Sequence, residues 1–143
     1  MQQSPYAQHR SILVDDSYGT ACRLQEFVLH QQDGDQYPFD IDQHWGGFDT
    51  RHRQIYTELR EWVWQHGLDS TFEEVVRIII AKRQEEAQAN FDELTWLRHM
   101  SPEDFQPESG ETPVESHRRA IATCEMWQKR YAEKGFVACA DMS

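Results

Sequence analysis

The sequence predicts a mainly α-helical protein of four principal helices, arranged as an irregular bundle in a single domain over residues 1–143. Apolar residues recur at intervals of three and four along four long stretches, which is the periodicity of an amphipathic helix. Two Ser/Thr-x-x-Glu capping boxes, Ser70–Glu73 and Thr112–Glu115, indicate where two of these helices start, and the second box has Pro113 at the first helical position. Five Trp, seven Phe and five Tyr supply large side chains for a core.

The N-terminal part of the chain has the weakest pattern. Residues 1–10 are expected to be a loose tail. The apolar run Ser11–Val14 fits either a short strand or the lead-in to a first helix. The first long helix is predicted from about Ser17 to Gln32, because Ala21, Leu24, Phe27 and Val28 follow helical spacing.

The remaining helices have clearer ends. The second runs from about Thr50 to His66 and stops at Gly67, and the third runs from Ser70 to about Met100. The fourth begins after Thr112, and Gly135 followed by Phe136 fits a Schellman stop. Two long loops are predicted between these helices, over residues 33–48 and 101–111, because turn residues occur throughout both.

The net charge of −11 is concentrated in those two regions. No Lys or Arg lies between Arg23 and Arg51 or between Arg98 and Arg118, and the eleven carboxylates found there equal the whole net charge. We name residues 33–49 the first acidic segment and residues 101–111 the second acidic segment. Such charge disfavours direct binding to nucleic acid, whose phosphates need basic residues. It suits a protein partner with a basic surface, although carboxylates that only solvate two loops are the alternative.

The composition also bears on location. No apolar run approaches the length of a membrane span, and the N-terminus lacks the charged head and apolar body of a signal peptide. Three cysteines without tight spacing, Cys22, Cys124 and Cys139, favour a reduced compartment. We therefore expect a cytoplasmic protein that does not bind membranes.

Two features on the second predicted helix bear on binding. Arg51 and Arg53 lie in its first turn, where the helix dipole favours anions, so either a nearby carboxylate such as Asp49 or a bound anion should compensate them. Trp62 and Trp64 point to different faces, and if Trp62 is in the core, Trp64 is either covered by another helix or exposed at an interface.

The sequence contains no recognisable metal site or catalytic site. The aspartates of residues 33–42 suit a hard cation chemically, but their spacing does not match an EF-hand loop. Zinc and di-iron spacings are absent from the sequence. We therefore predict no metal, no cofactor and no catalytic residue.

Short stretches of the sequence resemble two known families. Residues Ile12–Ser17 resemble the opening strand of response-regulator receiver domains, but the later strands of that family have no counterpart here. Gly67–Leu68, Phe72–Glu74 and Ala132–Val137 resemble the helical N-terminal segment of nitrile hydratase β subunits and their accessory proteins. That family has paired tyrosines where this chain has His117–Arg118, and its metal ligands lie on another subunit, so no catalytic residue is implied.

The preferred functional prediction is a non-enzymatic acidic binding protein. It would act as an inhibitor, an immunity-type protein or an accessory protein that docks on a basic surface of a partner protein. In one version of the hypothesis, that partner is a protein that handles nucleic acid. A helical subunit or accessory chaperone of a multi-subunit enzyme is the alternative, and a homo-oligomer is a third. The predicted partner-binding residues are Asp33, Asp35, Asp40, Asp42, Trp64, Glu103, Asp104, Glu108 and Glu111, with Arg51 and Arg53 as an anion site.

Overall fold

The structure, a computed structural model that describes residues 3–136, is mainly α-helical. Within these residues it contains seven α-helices, two 3-10 turns and no strand. No helix in this part of the chain is both long enough and apolar enough to cross a bilayer. The α-helices are α1 (Pro5–Gln8), α2 (Arg10–Val14), α3 (Gly19–Gln32), α4 (Ile41–His44), α5 (Thr50–His66), α6 (Ser70–His99) and α7 (Pro113–Glu133).

The four predicted helices correspond to α3, α5, α6 and α7. Their arrangement as one bundle in a single domain stays a prediction. The chain divides into two compact units, Met1–Ala81 and Lys82–Ser143, which are described separately below.

The N-terminal prediction is wrong for the loose tail, which contains helix α1 with its fully buried Tyr6. Of the two alternatives for Ser11–Val14, the strand is excluded, because this run is part of helix α2. Helix α2 is held through its C-terminal end, because the buried side chain of Gln25 donates to the carbonyl oxygens of Ile12 and Asp16 at 2.9 and 2.8 Å. This interaction joins residues that are far apart in sequence, so periodicity alone could not predict it.

The core of the first unit gathers side chains from α1, α2, α3, α5 and the start of α6. The ring of Tyr6 packs edge-on against Phe72, with a centroid distance of 5.1 Å. Burial of such apolar area is the main stabilising term for the unit. Its fully or almost fully buried members include Tyr6, Leu13, Leu24, Val28, Ile55, Leu59, Phe72, Val75 and Ile79.

The junction between α5 and α6 corrects the first capping box. Helix α5 ends at Gly67, as predicted, and the φ of 71° there favours glycine. Ser70 is already the first helical residue of α6, and the carboxylate of Asp69 accepts the Phe72 N–H at 2.9 Å. Asp69 is therefore the N-cap, because it stands immediately before the helix with an oxygen acceptor of the right reach.

The second unit contains the α6 residues from Lys82 onward and helix α7. Leu94, Leu97 and Cys124 form its buried cluster, and Met100, Phe105, Ala120 and Ile121 pack against them. The Asn90 amide donates to the Cys124 carbonyl oxygen at 2.9 Å, and His117 Nε2 lies 2.6 Å from the Leu97 carbonyl oxygen. These polar contacts fix the register between the two helices.

Both predicted ends of α7 are confirmed. The Thr112 hydroxyl accepts the Glu115 N–H at 3.2 Å, and the Glu115 carboxylate accepts the Thr112 N–H at 3.5 Å, which completes the capping box. At the other end, the Phe136 N–H donates to Tyr131 and the Gly135 N–H to Ala132, the hydrogen-bond pattern of a Schellman stop. Residues 137–140, for which the sequence allows either a short strand or a packed coil, lie outside the described residues.

The two predicted loops are more structured than expected. The first contains helix α4 and a 3-10 turn over Trp45–Gly47, and the second contains a 3-10 turn over Pro102–Asp104. Asp40 makes the first of these possible, because its side chain accepts the Asp42 N–H at 3.0 Å and caps α4. Short helices of this kind depend on one cap and on tertiary contacts, so their sequence signal is weak.

Candidate binding surface

The first acidic segment is attached to the first unit by aromatic side chains. Tyr37 and Phe48 are buried, and the ring of Phe39 lies 5.6 Å from that of Phe27 on α3. His30 Nδ1 also lies 2.9 Å from the Tyr37 carbonyl oxygen. The segment therefore follows the surface of the unit with Tyr37 and Phe48 inward.

The carboxylates of this segment point the other way. Asp33, Asp35, Asp40 and Asp42 are all exposed, and none of them forms an ion pair within residues 3–136. Asp33 accepts the N–H groups of Asp35 and Gln36, both at 3.1 Å, and so shapes the turn after α3. The structure thus brings these four predicted residues onto one short, anchored stretch of backbone.

The carboxylates of the second acidic segment are partly compensated. Arg119 on α7 contacts both Glu108 and Glu111 at 2.7 Å, and Glu111 also accepts the Ser116 hydroxyl at 2.8 Å. The Ser101 hydroxyl donates to Glu103 at 2.7 Å and lowers the pKa of that carboxyl. Asp104 is exposed as well.

The two acidic segments belong to different compact units, the first to Met1–Ala81 and the second to Lys82–Ser143. Their action as one joint docking surface stays a prediction. Each segment can be tested by itself, because each has its own carboxylates and its own supporting helices.

Arg53 finds a hydrogen-bond acceptor within the first unit. The Asp49 carboxylate caps α5 by accepting the His52 N–H at 2.9 Å. Arg53 donates through Nε and Nη2 to the Trp45 carbonyl oxygen at 3.2 and 2.9 Å, and its guanidinium also stacks on the Trp45 ring. Two donors of Arg53 are thus already engaged, and an anion at Arg51 and Arg53 stays a prediction.

A second arrangement at the start of α5 was not predicted. His52 is buried, with Nδ1 2.6 Å from Asp49 and Nε2 2.9 Å from the hydroxyl of Tyr18. Carboxylate, imidazole and hydroxyl in this order resemble the parts of a nucleophilic triad. Desolvation raises the pKa of Tyr18, and the contacts among these three groups join the starts of α3 and α5. Tyr18 and His52 are 34 residues apart in the sequence, so their contact has no local sequence signal.

Trp64 is the most exposed large apolar side chain of the described residues, at 74%. It ends a row of alternating basic and aromatic groups along α5. Trp45 contacts Arg53 and Tyr56, Tyr56 contacts Arg60, and Arg60 contacts Trp64, with centroid distances between 4.9 and 5.8 Å. Trp62, by contrast, is partly buried and donates through its indole N–H to Asp69 at 2.8 Å. Arg60 was missed by sequence analysis, although its spacing from Tyr56 and Trp64 is helical.

Within residues 3–136, no three His, Cys, Asp or Glu side chains are placed so that they could hold a metal ion together.

Comparison with known proteins adds no functional assignment. The resemblance to nitrile hydratase β subunits and their accessory proteins stays a hypothesis. No protein family model, curated protein or solved structure gives a significant match to this chain.

Proposed function

We propose that this protein is a non-enzymatic binding protein that docks through the first acidic segment on a basic surface of a partner protein. In this proposal it acts as an inhibitor, an immunity-type protein or an accessory protein. The proposal includes a cytoplasmic location, which suits the free thiols of Cys22 and Cys124.

The observation that carries the proposal is the state of Asp33, Asp35, Asp40 and Asp42. Each carboxylate is exposed, and none of the four forms an ion pair within the described residues. Most proteins intersperse charges of both signs on their surface, and an uncompensated field of one sign steers partners of the opposite sign. Basic side chains of a partner would meet carboxylates that have no competing internal cation.

Rigidity of the segment supports the same function. Tyr37 and Phe48 are buried, Asp33 shapes one turn, and Asp40 caps the next helix. A backbone that is already ordered loses less conformational entropy when a partner binds. The carboxylates are thus presented from an anchored stretch, as a docking surface requires.

The second acidic segment contributes less in this proposal. Glu108 and Glu111 share the guanidinium of Arg119, so a partner's base would have to compete with it. Glu103 and Asp104 remain exposed and add to long-range steering.

The experiment compares the parent chain with the double variant Asp35→Asn/Asp42→Asn. These two carboxylates are chosen because neither caps a turn or helix in the structure. The parent chain is used as the bait in lysate of the source cell, and a protein that it retains is purified. Its binding kinetics are then measured at low and at physiological salt.

We expect the double variant to associate several-fold more slowly than the parent at low salt, with a smaller change in dissociation rate. The control Glu85→Gln/Glu133→Gln removes the same charge from exposed helix positions. Equal association rates for all three chains at both salt concentrations would refute docking through this segment. An equal slowing of both variants would assign the effect to net charge alone.

A further inference from the structure

We infer that Arg60 and Trp64 form a second, distinct recognition site on α5, which binds a carboxylate side chain flanked by apolar residues on a partner protein. The inference goes beyond the proposed function, because it assigns an acceptor site for an acid to a chain that is otherwise expected to attract bases. It rests on the contacts of Arg60, which differ from those of Arg53 on the same helix face.

The charge of Arg60 is held by two aromatic rings. Its Cζ atom lies 5.7 Å from the ring centroid of Tyr56 and 5.0 Å from that of Trp64. Such cation–π contacts stabilise the positive charge, but they do not satisfy the N–H donors, which need oxygen acceptors. The rings also restrict the side chain, so less rotamer entropy remains to be lost on binding.

The donors of Arg60 have no acceptor within residues 3–136. Its Nε is buried and lacks any hydrogen-bond partner, so a ligand from solvent would meet the Nη groups instead, and Arg60 takes part in no ion pair of these residues. The Nη groups of an arginine match a carboxylate in geometry and charge. Because part of the guanidinium is already dehydrated, an incoming carboxylate removes less of its hydration.

Arg53 provides the internal comparison. It lies on the same helix face and stacks on Trp45 at 4.9 Å, yet its Nε and Nη2 donate to the Trp45 carbonyl oxygen. Its donors are therefore occupied by the protein itself. Of these two stacked arginines, only Arg60 combines a restrained guanidinium with unused donors.

Trp64 supplies the apolar part of the site. Its side chain is 74% exposed, and exposed tryptophan beside arginine is the composition of many interface hot spots. A carboxylate with apolar neighbours would place its oxygens on Arg60 and its apolar groups on the indole.

The test uses the full chain and two capped peptides as probes. One peptide alternates leucine and glutamate, and the other has glutamine in place of each glutamate. Binding is followed by two-dimensional ¹⁵N NMR at the Arg60 Nε–H and Trp64 indole N–H signals, which are assigned from Arg60→Lys and Trp64→Phe. We expect saturable shifts of both signals with the glutamate peptide and binding about tenfold or more weaker with the glutamine peptide, the usual effect of one charge-assisted hydrogen bond.

Two variants of Arg60 and two controls make the assignment specific. Arg60→Met keeps an apolar stem but removes the guanidinium and should weaken binding of the glutamate peptide to the level of the glutamine peptide. Arg60→Lys keeps the charge without the fork and should fall between them. The controls Arg77→Met and Trp96→Ala alter an exposed arginine and an exposed tryptophan on α6, outside the proposed site on α5. Both controls should bind the glutamate peptide as the parent does.

Equal binding of the two peptides, parent-like binding by Arg60→Met, or no movement of either signal would overturn the inference. Amide spectra of the variants show whether each one is folded, and Arg60→Lys provides a second reading if Arg60→Met is not. Because the probes contain no basic group, the result is independent of the docking test on Asp35 and Asp42. Either proposal can therefore fail while the other stands.

Discussion

Tyr6 provides the sharpest test of the fold, because sequence analysis places it in a loose tail and the structure places it in the core. Its side chain is fully buried, and its hydroxyl oxygen lies 2.5 Å from the Gln31 side-chain oxygen and 3.1 Å from the Leu59 carbonyl oxygen, so one O–H is shared between two acceptors. Its ring also packs edge-on against Phe72. Two substitutions separate the hydroxyl from the ring.

Tyr6→Phe removes only the hydroxyl. The Leu59 carbonyl oxygen keeps its contact with the Gln31 amide at 3.4 Å, and Gln31 is only partly buried and can turn to water. We therefore expect a loss of about 1 kcal/mol in the free energy of unfolding. Tyr6→Ala also removes the ring and leaves a cavity, so we expect a loss of about 3–5 kcal/mol.

The two losses are measured by urea denaturation, followed by tryptophan fluorescence and by circular dichroism. Against a typical total of about 5–15 kcal/mol, the loss in Tyr6→Ala is large enough to shift the midpoint clearly. Parent-like midpoints for both variants would refute the placement of Tyr6, and residues 1–10 would then be the loose tail that the sequence suggested.

The pH dependence of stability checks the same placement. Burial raises the pKa of Tyr6 above the ordinary 10.0 of a tyrosine. Because the folded state resists ionisation of Tyr6, its contribution is complete below pH 10.0 and is lost as the pH rises above that value. Stability of the parent should therefore fall at alkaline pH, and Tyr6→Phe should fall less steeply. Equal slopes would show that Tyr6 ionises as freely as an exposed tyrosine.

Three further predictions concern helix ends, and each is measured by chemical denaturation. Asp69→Ala should lower the free energy of unfolding by about 1–3 kcal/mol, because it removes both the cap of α6 and the acceptor of the Trp62 indole N–H. Ser70→Ala should change it by no more than about 0.5 kcal/mol. A larger loss in Ser70→Ala would restore the first capping box. Thr112→Ala should cost about 0.5–2 kcal/mol, and an unchanged midpoint would remove the capping box of α7. Gly67→Ala should cost about 1–3 kcal/mol, because the backbone there has a φ of 71° and a ψ of −164°, and a neutral result would contradict that conformation.

The long helices could be predicted because their signals are local. The bounds of α5, Thr50 to His66, agree with the prediction, and α7 begins and ends with the predicted motifs. A capping box or a Schellman stop involves residues within about one helical turn, so it can be recognised in a short stretch of sequence. Ser70 shows the limit of this approach, because Asp69 lies next to it and is an equally good cap.

The candidate sites could be predicted only in part. The charge pattern identified Asp33, Asp35, Asp40 and Asp42, and the structure finds all four exposed. The composition could not distinguish these from Glu108 and Glu111, whose charge is shared with Arg119. Pairing of this kind depends on which side chains meet after folding, and single-sequence patterns do not carry that information.

The sequence by itself determined that the chain is mainly helical, where its long helices lie and where its negative charge is concentrated. The tertiary structure decided which polar groups are satisfied and which remain available. It joins Tyr6 to Leu59 across 53 residues and Tyr18 to His52 across 34, and it occupies the donors of Arg53 while leaving those of Arg60. The physical reason is that helix formation depends on hydrogen bonds and spacings within about four residues, whereas burial and pairing depend on contacts between segments that are remote in sequence.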